Sequence, residues 1–264
     1  MMERFERLSE LFLSMLINPL WKACGDVEQD GWASLRVFLS VYAFERQGRS
    51  PDYAPAAADM IDEIREMPLR ADAASRAWTR FAEKLNNKGL NPRNNPLCQG
   101  GGKMSAVAFA ATLPQPMVAW ARDMIGGGRV REGYKALQKI RGIGPKIAAF
   151  FLRDVAVRYN IAPQNDRHLL QPVDTWVEFV VRSLSGDVGM DPRSCAEYLV
   201  EHAAAPERAN QGIWYFCTQV AGSSRYVVRR CLEDATGYDV CLDNHLASLD
   251  TGAKAACTFK EQGQ

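Results

Sequence analysis

The stretch IRGIGPKIAAFFLRD, residues 140 to 154, sets a Gly-Ile-Gly-Pro turn and a lysine, Lys146, between two apolar runs. Lysine on an apolar helix face is costly unless its amine has a task or a route to water. A neutral lysine amine is a nucleophile that forms Schiff bases with electrophilic carbon. Gly142 and Gly144 permit positive φ and close backbone approach, and Pro145 pre-sets the first turn of a helix. The amides of such a turn can face an anion, with a phosphate as the natural occupant, and Lys139 and Arg141 stand just before it. Downstream, PVDTWV places Asp174 at the start of another apolar run. A carboxylate there can cap the helix. It can equally take a proton or steady a developing positive charge. Each element has a structural reading when taken alone: a plain corner between helices for the turn, an N-cap for Asp174.

The segments around these residues are helical by periodicity. Phe5, Leu8, Leu11, Phe12, Met15 and Leu16 mark one face of a first helix. WASLRVFLSVYAFE reads as a buried second helix, and PAAADMIDEIREM opens on a proline suited to a first turn. AASRAWTRFAEKL, MSAVAFAATL and PMVAWARDMI are further helices. REGYKALQKIR and KIAAFFLRDVAV are predicted as the two helices either side of the turn, a unit over residues 131–158. The segment 172–184 carries Asp174. Between helices, NNKGLNPRNNPLCQGGGK, residues 86–103, has no periodicity and is a long loop. Strand signals and hairpin turns are scarce, so the fold class is all-α.

Composition bounds the rest. At 264 residues, with 47% hydrophobic and 24% charged content, the chain is that of a globular protein able to bury one core or two lobes sharing a cleft. Net charge is +1, which argues against a non-specific nucleic-acid coat but leaves a local basic surface open. The seven cysteines are scattered without a CxxC pair, so reduced thiols in a cytoplasmic protein are expected, with no metal site. FLSMLI is too short for a membrane span. The three histidines, His168, His202 and His245, are dispersed and receive no role.

A hairpin ending in Lys146, followed by PVDTWV with Asp174, resembles the helix-hairpin-helix DNA glycosylase superfamily, the group that includes endonuclease III and the 8-oxoguanine glycosylases. The resemblance runs over roughly residues 130 to 220 of the 264. It implies two helical lobes with a DNA-binding cleft, formed by residues 1–264 as one glycosylase unit. It also implies Lys146 as the catalytic lysine and Asp174 as the catalytic aspartate. Members carrying the lysine cut the strand as well as releasing the base. The link RYNIAPQNDRHLLQ is longer than in endonuclease III, and the four-cysteine iron–sulfur loop is absent. In its place stands RYVVRRCLEDATGYDVCLDNHL, with Cys231 and Cys241 too isolated to hold a cluster. The pattern is closer to the compact archaeal 8-oxoguanine enzymes. No cofactor is implied beyond a monovalent cation held by hairpin carbonyls, and the expected partner is double-stranded DNA with a damaged or modified base, bound by a monomer near the nucleoid.

Attack at C1′ requires the nucleotide to leave the duplex, which demands a pocket. By the same resemblance Phe150, one turn after Lys146, stacks on one face of the extruded base. Trp214 stacks on the other, and Asn210, at i and i+4 with Trp214, reads its edge. Read as residues alone, both aromatics are ordinary core and Asn210 is a helix cap. Gly142, Gly144, Lys139 and Arg141 are the phosphate contacts. Tyr42, Arg46 and Gln47 are candidates to fill the vacated space, and Lys88, Arg93 and Lys103 to touch phosphates. Three rivals stay open: a glycosylase for another modified base, a DNA-binding module without chemistry, and a helical scaffold with an accidental hairpin, which predicts no salt-dependent DNA affinity.

Overall fold

The computed structural model describes residues 1–44 and 51–251. Among them the protein is all-α, with only two isolated bridges, Gly100 with Lys103 and Met104 with Ile140. The described residues form two compact units, one drawn from residues 15–172 and the other from residues 1–14 with 173–251.

The unit of residues 15–172 holds α2 (Asn18–Cys24), α3 (Gly31–Val37), α4 (Tyr53–Ile64), α5 (Ala73–Asn87), α6 (Ala106–Ala110), α7 (Met117–Gly126), α8 (Val130–Leu137) and α9 (Pro145–Arg158). α9 is its axis: every residue from Ile147 to Val157 is buried. A helix apolar all round belongs at the centre of a bundle, not on its surface. Phe151 takes Phe38 and Tyr42 edge-on, at centroid distances of 5.2 and 5.3 Å. Tyr42 is fully buried and its hydroxyl accepts from Trp21 Nε1 at 3.3 Å, so it cannot fill a gap in DNA. Arg46 and Gln47 lie outside the described residues. Within α9, Arg153 and Asp154 are completely buried as an ion pair, with Arg153 Nη2 2.6 Å from Asp154 Oδ1. An apolar reading of AFFLRD does not anticipate this charge pair.

The other unit holds α1 (Met2–Phe12), α10 (Thr175–Ser185), α11 (Pro192–His202), α12 (Pro206–Tyr215), α13 (Arg225–Glu233) and α14 (Ala235–Thr251). α1 lies along α12 at a close approach that Gly212 permits: a Cβ there would stand 1.7 Å from the Phe5 carbonyl oxygen. Ser9 Oγ donates to Gln211 Oε1 at 2.5 Å across the same contact. Phe5, Phe216 and Tyr238 form the aromatic centre.

The first helix changes phase. Phe5, Leu8 and Phe12 are buried as the spacing predicts, but Met15 is 47% exposed and Ile17 is buried instead. Residues Leu13–Ile17 form a wide π-type turn, which replaces a spacing of three or four with five. Two more such turns occupy Phe38–Ala43 and Phe216–Val220.

Candidate functional site

α8 ends at Leu137, four residues earlier than REGYKALQKIR suggests. The reason is a pairing distant in sequence. Met104 N donates to the Lys139 carbonyl at 3.0 Å and Arg141 N to the Met104 carbonyl at 2.9 Å. Backbone groups of residues 139–141 thus serve the long loop, and no helix continues through them. Gly142 then sits at φ +74°, the left-handed region that favours glycine. Gly144 is different. Its φ of −101° suits any residue, and a Cβ there would meet nothing within 4 Å. Neither the fold nor its packing requires glycine at 144.

α9 starts at Pro145 with Gly144 as N-cap, so no side chain caps its first amides. Those amides are orphan donors that water or a ligand must satisfy. Lys146 is exposed in this first turn, while Phe150, one turn later, is 3% exposed. The Arg153 guanidinium lies 5.0 Å from the centre of the Phe150 ring. Lys146 therefore stands at the solvent end of a helix whose body is locked in the core. That is the rigid support a positioned nucleophile needs.

The loop of residues 86–103 is fastened to this turn. Lys103 Nζ donates to the Gln138 carbonyl, and Arg141 Nη1 donates to the Gly100 carbonyl at 3.1 Å. Lys88 is paired with Asp52 at 2.7 Å. Lys103 and Lys88 are thus engaged within the protein, whereas Arg93 and Lys139 are exposed. The Arg141 guanidinium turns back to the loop.

In the other unit, Asp174 is the N-cap of α10. Its Oδ1 accepts from Trp176 N and Val177 N, both at 3.0 Å. The capping function is a fact of the structure, and it uses one carboxylate oxygen. Burial, and after it the negative charge of Asp174, pushes the Cys217 thiol up, so the Asp174 field reaches the wide turn that follows α12. Asn210 is fully buried within α12 and is no cap. Trp214, one turn on, is half-buried with Phe12 edge-on at 5.8 Å. Sequence reasoning missed the neighbouring surface: Phe179 of α10 carries Arg225 and Arg229 over its ring at 5.5 and 5.9 Å, with Trp176 edge-on at 6.4 Å. RYVVRR one and two turns along α13 is its signal in the sequence.

Lys146, Phe150 and the turn belong to the first unit; Asp174, Asn210 and Trp214 belong to the second. Cys231 and Cys241 are not isolated from each other, since their sulfurs lie 3.6 Å apart. Cys231 is a free thiol. Among the described residues no His, Cys, Asp or Glu cluster fit for a metal occurs, and no helix is long and apolar enough to cross a membrane.

No protein-family model matches the chain, and no solved structure does. An uncharacterized protein of Methanocaldococcus jannaschii is 36% identical over 70 residues, a stretch that covers 26% of this chain and 16% of that protein.

Proposed function

We propose that the chain is a helix-hairpin-helix DNA glycosylase with AP lyase activity, removing an oxidised purine, 8-oxoguanine in first place, through a Schiff base on Lys146. The observation that carries the reading is the start of α9: an uncapped set of amides, a Gly144 that nothing in the protein demands, and an exposed lysine on a buried helix. A DNA phosphate meeting those amides would need the space a Cβ at 144 takes. It would also bring a sugar within reach of the Lys146 amine.

The chemistry then proceeds from named atoms. A protonated amine cannot attack, so Lys146 must give up a proton, and the Asp174 carboxylate is the acceptor. The free amine attacks C1′, the glycosidic bond breaks, and the base leaves with the bonding pair. The proton taken up by Asp174 passes to the departing base as this happens. Loss of the ring oxygen's bond to C1′ gives the imine, and removal of a C2′ proton expels the 3′ phosphate. Of the three pocket candidates Phe150 and Asn210 are buried, so it is the half-buried Trp214 that is open to stack on the extruded base. Phe179 with Arg225 and Arg229 adds a cationic, aromatic surface of the kind that holds a DNA strand.

One observation favours the second reading, a DNA-binding module without chemistry: the N-cap role already accounts for Asp174. Borohydride trapping separates the two. Duplexes carrying 8-oxoguanine, an abasic site or no damage are incubated with the wild type and with Lys146→Gln. A wild-type adduct on the 8-oxoguanine duplex, absent in the variant, is the expected result. An adduct on the abasic duplex alone keeps the lyase and moves the substrate to another base. Binding without any adduct leaves the module.

A further inference from the structure

The loop of residues 86–103 does more than fasten the turn. Together with α5 it lines an open cavity of about 600 Å³ whose tryptophan wall the glycosylase reading leaves unused, although that reading gives Arg93 and Arg141 to DNA phosphate. Arg93 and Arg141 both line it, and no carboxylate does. Two guanidinium groups without a compensating acid make a site for an anion, and phosphate is the anion their planar forks match best. Arg141 is preset for this. Gly100 O and Asn94 Oδ1 hold its Nη1 and Nη2 at 3.1 and 3.4 Å, and its buried Nε has no acceptor. A half-buried tryptophan, Trp78 of α5, forms one wall, with the amides of Asn94 and Gln99 and the hydroxyl of Ser75 nearby on the rim. A flat indole face takes a planar ring, and carboxamides supply the paired donor and acceptor that a nucleobase edge presents. The volume lies in the range of pockets that enclose small organic ligands.

We infer that this cavity is a nucleotide-binding site, with the base on Trp78, its edge on Asn94 or Gln99, and the phosphate on Arg93 and Arg141. It is separate from Lys146 and Asp174 and stands without the glycosylase assignment. A free mononucleotide and a nucleotide within a DNA strand share this chemistry, and the test has an arm for each. Isothermal titration measures deoxyguanosine 5′-monophosphate, deoxyguanosine and inorganic phosphate against the wild type, Trp78→Ala, Trp78→Phe and Arg93→Gln. Trp78 is half-buried and Arg93 exposed, and circular dichroism confirms that each variant is folded. The monophosphate is expected to bind more tightly than the nucleoside or phosphate. Trp78→Ala should weaken it about 5- to 100-fold, the range for loss of one base stack, with Trp78→Phe recovering part of the loss. The second arm repeats the series with a short single-stranded oligonucleotide. Dependence on Trp78 and Arg93 for the oligonucleotide alone assigns the site to a nucleotide in a strand. Binding of neither probe, or binding indifferent to both substitutions, overturns the inference.

Discussion

Gly212→Ala puts the packing of the candidate base-reading helix to a direct test. In isolation the change should stabilise α12, since alanine in a helix interior is better than glycine by about 1 kcal/mol. The contact with α1 opposes this. An added Cβ would lie 1.7 Å from the Phe5 oxygen, 2.6 Å from its carbonyl carbon and 3.0 Å from its Cα. A carbon and a carbonyl oxygen sit in contact at roughly 3.3 Å, so α1 would have to withdraw by about 1.6 Å at this point. The obstacle is backbone, so no rotamer change relieves it. Withdrawal stretches the 2.5 Å bond from Ser9 to Gln211 and pulls Phe5 out of its contacts with Phe216 and Tyr238 at 5.8 and 5.9 Å. Overpacking against mobile side chains costs about 1–3 kcal/mol, and a backbone clash belongs at or above the top of that range. After the helix-propensity gain, the net loss is about 2–4 kcal/mol.

Each kcal/mol moves the melting temperature of a chain near this size by roughly 2–4 °C, so thermal unfolding followed by circular dichroism should show a drop of about 10 °C. Gly133→Ala is the control. It too is a buried glycine within a helix, but its Cβ would meet only the Met124 side chain, at 3.4 Å. There the propensity gain should prevail and the protein should melt slightly higher. If Gly212→Ala melts at or above the wild type, the close approach of α1 and α12 is not what fixes this unit. The placement of Asn210 and Trp214 would then need another cause.

Gly144→Ala should leave the melting temperature unchanged, since its backbone is ordinary and the space is open, while weakening duplex DNA binding at least several-fold in a fluorescence-anisotropy titration; unchanged affinity would remove the turn as the phosphate contact. Asp174→Asn should retain stability, because asparagine caps as well as aspartate, yet slow base release in single-turnover assays; equal rates would leave Asp174 as a cap alone. Arg153→Met should cost at most about 3–5 kcal/mol, since it removes the guanidinium paired with the buried Asp154 carboxylate, a loss that chemical denaturation would measure. Burial holds the His245 pKa below its ordinary value, so the unfolded chain takes the proton first and stability falls as pH drops below roughly 6.5. Melting temperatures between neutral and mildly acidic pH should decline for the wild type, and less for His245→Gln.

Local periodicity carries most of the helical layout because each helix buries a continuous face, and α5 and α9 lie within a few residues of their apolar runs. What escapes it is set by partners distant in the chain. Met104 intercepts residues 139–141 and shortens α8, a pairing no window of a few residues contains. The wide turn after Phe12 shifts the first helix out of its own pattern and exposes Met15. Lys103 and Tyr42 look available by type, yet one is engaged by a backbone carbonyl and the other by the core. The turn and the Asp174 helix start are legible because glycine, proline and aspartate act through local backbone geometry. Asn210, Trp214 and the Phe179 surface depend on which helices meet, and spacing alone gives no direction for that.

The two helix starts that matter most follow opposite rules. α10 begins as stability dictates, with Asp174 accepting from two amides and Glu178 in the first turn. Negative groups at a helix N-terminus meet the positive end of its dipole. α9 begins against that rule, with no side-chain cap, no acid in its first turn and a lysine in their place. The apolar packing of Ile147 to Val157 secures the helix without them, so its first turn is free to be locally unfavourable. A serine at 144 would fit the backbone and cap the helix, and a glutamate at 146 would meet the positive end of its dipole. Such a departure from local preference is expected where a ligand completes the structure. An anion brought to these amides would supply the missing negative charge and lie beside the Lys146 amine, so one bound phosphate would satisfy both the orphan donors and the lysine. The same reasoning gives Asp174 a fixed carboxylate whose second oxygen is not used by the cap.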